Sequence, residues 1–104
     1  MSTERVAAFD VDDDGVPLGY LLHCPGCEVT HLIHTREPNA KGARWEFNGN
    51  MGAPTFAPSL LVEWPGAGGS KKRCHSFIRD GRIEFLNDST HSLAGKTVMV
   101  PIWT

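Results

Sequence analysis

The sequence predicts a mainly β protein, a small antiparallel sandwich or open barrel built as a single domain over residues 1–104. Three observations carry this reading. Eleven glycines and seven prolines interrupt the chain so often that a helix of ordinary length has few places to sit. Between the interruptions lie short runs rich in β-branched and aromatic residues, at 6–11, 18–23, 28–35, 44–48, 59–64, 73–79, 82–86 and 97–102. Asp80-Gly81, set between two of these runs, is the strongest short hairpin signal in the chain, because Asp-Gly accepts the positive φ that a tight mirror-image turn requires.

That hairpin sets a register. Arg79 should face Arg82, Ile78 should face Ile83, Ser76 should face Phe85 and Cys74 should face Asn87, since opposite residues share a sheet face. Cys74 then lies with Ile78, Ile83 and Phe85, whereas His75 points the other way with Phe77, Glu84 and Leu86. In a regular strand Cys74 and His75 cannot reach one point. A single helical turn is expected at 89–94, with Asp88 capping its start and Gly95 ending it. The segments 36–43 and 65–72 read as loops, the second flexible, basic and exposed.

Composition excludes several function classes. Ten Lys and Arg against twelve Asp and Glu, a formal net charge of −2, do not describe a dedicated nucleic-acid binder. No apolar run approaches the roughly 20 residues that cross a bilayer. The opening MSTERVAAFDVDDDG is acidic where a signal peptide would be basic and then apolar. Three cysteines, an odd number, fit reduced or metal-bound thiols better than a disulfide framework, and the reading is cytoplasmic. A chain of this length removes only about 60 to 70% of its unfolded surface from water, so one strong local tie can decide whether it folds.

The stretch HCPGCEVTHLIH supplies a candidate for that tie. In a CxxC turn two thiolates converge on one ion, and Pro25 and Gly26 suit the tight turn between Cys24 and Cys27. Zinc completes a tetrahedron of N and S donors. The further ligands are expected from Cys74 and from His91, giving Cys24, Cys27, Cys74 and His91, with His31, His23 and His75 as alternatives for the fourth position. In the bland reading His31 and His34 are half-exposed strand residues. Two other readings of the cysteines compete. They can act as small buried apolar residues, or Cys24 and Cys27 can form a redox pair, although no βαβ pattern or helix start surrounds them.

Other signals are incomplete. Asp10, Asp12, Asp14 and Gly15 imitate the first half of a calcium loop, but the twelfth position is Leu21 and no helices flank it, so an acidic turn is expected. The basic run at 71–73, with Arg79, Arg82 and the aromatic Trp45, Phe47 and Trp64, reads as a solvated loop and hairpin end. No serine, histidine and carboxylate stand in a recognisable nucleophile elbow. The Pro-bounded PTFAPS segment is expected to cross over one end of the sheet, because proline lacks the donor a central strand needs. Alternatively, Trp45, Asn48, Phe56 and His75 line a surface for a partner or ligand.

In order, CPGC, WEFNG, PTFAPS, CHSFIRDGRIEFL, DSTHSLAG and TVMVPIW resemble an uncharacterised family of small tailed-phage and bacterial proteins, some mislabelled ammonia monooxygenase. The resemblance runs from about residue 24 to residue 101, with CHSFI to THSLAG its most specific block. It implies a small metal-binding β domain in which Cys24, Cys27, Cys74 and His91 match the ligands, and it implies no established activity. Glu28 departs from the glycine frequent at its position, and Ser89 from a frequent cysteine. The functional expectation is therefore a zinc-stabilised accessory or interaction module of no established activity, phage-encoded and resident in the host cytoplasm, whose partner is another protein. The alternative is a zinc hydrolase with three protein ligands, an open metal position, and Glu28, Asp88 or His75 as general base.

Overall fold

The computed structural model describes residues 3–104. Its strands are β1 (Ala7–Val11), β2 (Pro17–His23), β3 (Thr30–His34), β4 (Glu46–Phe47), β5 (Phe56–Pro65), β6 (Lys71–Arg79), β7 (Arg82–Phe85) and β8 (Thr97–Met99). They form two antiparallel sheets, β1-β2-β3 and β4-β5-β6-β7-β8, neither closed into a barrel. Mainly β, as expected, the chain has a strand wherever the sequence places one. No helix among the described residues is long and apolar enough to cross a membrane.

The Asp80-Gly81 turn works as its chemistry dictates: both residues take positive φ, 51° and 77°, and the register behind them is Arg79↔Arg82, Ile78↔Ile83, Phe77↔Glu84 and Ser76↔Phe85. Cys74, Ile78, Ile83 and Phe85 consequently share the buried face. The core joins them to Leu22 and Ile33 of the smaller sheet and to Phe56 and Leu60 of the larger. Aromatic rings bridge the two sheets: Phe47 lies 4.4 Å from Tyr20 and 4.8 Å from Phe56, centroid to centroid. Such contacts add about 0.5–1.5 kcal/mol each beyond the area they bury.

Two local expectations give way. Residues 89–94 form no helix, the chain running irregularly through 89–90 into a bend and turn at 91–95, and the one short helix among the described residues is a 3-10 turn at Ala67–Gly69. The cause is competition for the expected cap: the Asp88 carboxylate bonds His75, while Ser89 and Thr90 bond the main chain of β6, leaving no free start for a helix. The second concerns PTFAPS, which opens β5 and does not cross the sheet end. A register shift between Phe56 and Leu60 explains it, because a bulge lets Pro58 sit in a strand without owing a ladder hydrogen bond. The acidic DxDxDG segment is a turn, closed by Asp12 Oδ1 accepting from the Asp14 and Val16 amides.

Gly19 shows how closely β2 and β3 approach, since a Cβ there would lie 2.3 Å from the Ile33 carbonyl oxygen. Backbone cannot swing aside as a side chain can. Gly19→Ala should therefore cost about 1–3 kcal/mol, read as a lower urea midpoint with the same slope.

Candidate functional site

Cys24 and Cys27 lie on the turn that joins β2 to β3, and Cys74 enters from the middle of β6. The turn is closed by Cys24 N–H to the Val29 carbonyl (2.9 Å) and Glu28 N–H to the Cys24 carbonyl (2.9 Å). Glu28 takes φ +60° to complete it, a left-handed conformation that explains why glycine suits this position. Cys27 N–H points at Cys24 Sγ across 3.5 Å, as expected for a knuckle whose amides face the sulfurs.

The fourth member of the group is His31. One donor atom from each of Cys24, Cys27, His31 and Cys74 lies within 4.8 Å of every other. Cys24 Sγ is 3.7 Å from Cys74 Sγ, close to the roughly 3.8 Å that two sulfurs span around a tetrahedral zinc with bonds of about 2.3 Å. His31 Nε2 is 3.1 Å from Cys27 Sγ. Both the three-sulfur, one-nitrogen composition and the spacing fit a metal ion. Burial pulls the His31 pKa down, but hydrogen bonds to Cys24 and Cys27 outweigh it and raise it to about 9. Hydrogen bonds from Cys27 and Cys74 hold the Cys24 thiol well below its ordinary range, and the adjacent Cys24 pushes Cys74 upward.

This differs from the expected set, in which His91 is the fourth ligand. His91 packs against the outside of the knuckle: a Cβ on Gly26 would lie 2.3 Å from its ring, and its edge meets Phe85 at 4.5 Å. Its Nδ1 accepts the Leu93 N–H, and the ring is outside the ligand group. His31, expected to be half-exposed, is only 5% exposed, because β3 turns back over the knuckle and directs it inward. His23 bonds Thr30 and stacks on Trp103, away from the sulfurs.

His75 leaves β6 on the face opposite Cys74 and has partners of its own. Its Nε2 lies 3.2 Å from Ser59 Oγ, and its Nδ1 lies 3.2 and 3.1 Å from the two Asp88 oxygens. An ionised carboxylate can only accept, so Nδ1 carries a proton, and in the neutral imidazole Nε2 is then left to accept from the serine hydroxyl. The hydrogen bond from His75 holds the Asp88 carboxyl below its usual range, and Arg73 adds to the effect from 3.5 Å. Each member is placed by backbone. Ser59 stands in the β5 bulge with its carbonyl accepting the Trp45 indole N–H (3.2 Å). Ser89 clasps His75 on both sides, its Oγ accepting the His75 N–H (3.0 Å) and donating to the His75 carbonyl (3.1 Å), which sets Asp88 beside the ring.

This constellation is not among the sequence expectations. Its only trace in the sequence is a serine next to a proline-bounded segment, with an HS and a DS pair on adjoining segments. The surface expected from Trp45, Asn48, Phe56 and His75 is likewise rearranged. Trp45 and Phe56 are core residues, 6% and 3% exposed, and the Asn48 side chain closes the 48–53 turn by bonding Ala53 and Asn50. Only His75 of the four faces a reactive partner.

Fold and site together define a small two-sheet β protein with a cysteine-histidine group that could hold a metal ion on one face of β6 and a serine, histidine and aspartate in line on the other. Comparison with known families places it further: the model described as "Bacterial ubiquitination-like system serine protease (BubE)" matches residues 2–86, and the chain belongs to that family. The match supports the bacterial side of the resemblance drawn from the sequence. No curated protein and no solved structure matches the chain.

The cluster makes a direct prediction for elemental analysis of untagged protein. The wild type should hold about one zinc per chain, His31→Ala should lose it, and His91→Ala should keep it while melting at lower temperature. Equal zinc in wild type and His31→Ala would remove His31 from the ligand set.

Proposed function

We propose that this chain is a serine protease that acts on a protein substrate within a ubiquitination-like system, its fold held by a structural zinc ion. The observation that carries the reading is the unbroken line from Ser59 Oγ through His75 to Asp88, with all contacts at 3.1–3.2 Å. The family's description supports it independently.

In this reading each residue of the line has a role. Ser59 Oγ attacks the scissile carbonyl carbon while His75 Nε2 takes its proton. Asp88 holds the imidazole in the tautomer that can do this and stabilises the imidazolium that forms. Collapse of the tetrahedral intermediate breaks the C–N bond, His75 returns the proton to the leaving amine, and the acyl group stays as an ester on Ser59. Water, deprotonated by the same His75, then releases the carboxylate and restores the serine.

Zinc in this reading is a scaffold. Cys24, Cys27, His31 and Cys74 would complete four-coordination from the protein alone, the closed arrangement of structural sites, which would leave no place for a reactive water. The cluster is compatible with the metal-binding module expected from the sequence, and this reading moves the hydrolase alternative from the metal to the serine.

A fluorophosphonate reagent, which needs an activated serine but no peptide recognition, tests the line directly. Intact-mass and peptide mapping should show a single adduct on Ser59, absent from Ser59→Ala and His75→Ala. Asp88→Asn, which keeps the shape but loses the orienting charge, should slow labelling or hydrolysis by about ten-thousand-fold. A folded, zinc-loaded wild type that shows no adduct at Ser59 would sink the reading.

A further inference from the structure

Two sheet edges remain unpaired beside Ser59, and they face the same groove. β4 covers β5 only at Ala57 and Phe56, so beyond Ser59 the outer edge of β5 has no strand neighbour among the described residues. In an antiparallel ladder, hydrogen-bonded pairs alternate with residues whose N–H and C=O point outward. The hairpin contact Gly66 N–H to Ser70 carbonyl (2.7 Å) starts that alternation, so Trp64, Val62 and Leu60 bond β6 while Leu61 and Glu63 turn to the open side. The opposite edge of β6 agrees, for Arg73 and His75 bond the 86–90 segment. On β3 the same count from Cys24 N–H to Val29 and Thr35 N–H to Leu18 turns Thr30 and Leu32 outward. His34 also faces outward, and its carbonyl is already taken by the Trp45 N–H (2.8 Å).

The groove between these edges is continuous. A cavity of about 320 Å³ is bounded by Thr30, His31 and Leu32 on one side and by Leu60 to Glu63 on the other. It shares Trp45 and Leu61 with a cavity of about 410 Å³ that reaches Pro58 and Ser59. In the other direction it shares Glu63 with one of about 370 Å³ that ends at Pro65. Prolines at 58 and 65 bracket the open stretch, the usual means of limiting an edge. Lys41 lines all three cavities and takes part in no ion pair among the described residues. The groove carboxylate, Glu63, is offset by Arg73 at 2.8 Å and Lys71 at 3.4 Å.

We propose that the substrate enters as an extended peptide strand, pairing its main chain with the open edges at Leu61 and Glu63 of β5 and Thr30 and Leu32 of β3, and presenting an acidic side chain to Lys41. The inference rests on Ser59 being the nucleophile, and it adds how the scissile bond is brought there. Main-chain pairing supplies sequence-independent affinity, and the side-chain pockets supply choice. Lys41 lines the groove from the cavity that reaches Ser59 to the one beside Glu63, so the acidic residue belongs within a few positions of the scissile bond. An extended strand also exposes its peptide bond fully, as a folded segment does not.

A randomised quenched-fluorescent peptide library cleaved by the zinc-loaded full chain tests this. The best-cleaved sequence is then resynthesised with Asp, Ala or Lys near the scissile bond. Asp should be preferred over Lys by on the order of 10-fold, and Lys41→Glu should reverse the preference. Leu61→Pro removes an outward N–H without touching the β6 ladder and should lower kcat/KM by on the order of 5- to 10-fold, while the rate of fluorophosphonate labelling at Ser59 stays unchanged. Three results would overturn the proposal with Ser59 still labelled normally: no peptide is cleaved, neither variant alters cleavage, or Leu61→Pro merely dissociates a dimer, which would mean that the edges pair copies of this chain. Absence of labelling would instead mark failure of the nucleophile assignment itself.

Discussion

The constraint on which the rest depends is the two-residue period of β6. Cys74 and His75 are neighbours in the chain, and a strand must send neighbouring side chains to opposite faces. Cys74, fully buried, joins Cys24, Cys27 and His31 on the inner face. His75 meets Ser59 and Asp88 on the outer. Anything that fixes the position and twist of Cys74 therefore fixes the root of the His75 side chain. Metal binding and the alignment of a proton acceptor become two consequences of one short stretch of backbone.

The burden on that stretch follows from size. Among the described residues the core comprises a dozen buried hydrophobic side chains on and beside two small sheets, and a domain of such dimensions has a net stability of only about 5–15 kcal/mol. Structural zinc contributes binding of about 10–16 kcal/mol that appears as folding free energy. The four residues that could hold such an ion come from the β2–β3 turn, β3 and β6, so an ion bound there would tie the smaller sheet to the larger. The groove between the edges of β3 and β5 lies next to this tie, with His31 in its wall. An ion bound by that group would steady the groove wall as well as the two sheets.

Much of this is legible in the sequence, and the boundary between what is and is not has a physical origin. The Asp80-Gly81 turn determines its register by local backbone chemistry, so the opposed facing of Cys74 and His75 follows from the order of residues alone. The CxxC knuckle is equally local, and Cys74 follows from being the remaining thiol. The choice of His31 over His91 is different: both lie at plausible spacing, and only the course of β3 back over the knuckle decides which imidazole is carried inward. Glu28 at φ +60° is part of that course. The residue that departs from glycine in the sequence is the one whose strained turn aims the strand.

Ser59, His75 and Asp88 are illegible for a further reason. A nucleophile elbow announces itself because one strand-turn-helix unit holds the serine, whereas here three separate segments meet through sheet pairing. Ser59 depends on a bulge whose position is set by how β5 aligns with β6. Asp88 depends on Ser89 and Thr90 bonding the edge of β6 in place of the helix their sequence suggests. Local propensity at 88–94 favours a capped turn of helix, and the tertiary hydrogen bonds overrule it. The same carboxylate cannot cap a helix and orient an imidazole, and the fold resolves the competition in favour of the imidazole. Where a short segment abandons its local preference for a polar contact on a half-exposed histidine, the contact itself becomes the best guide to what the segment is for.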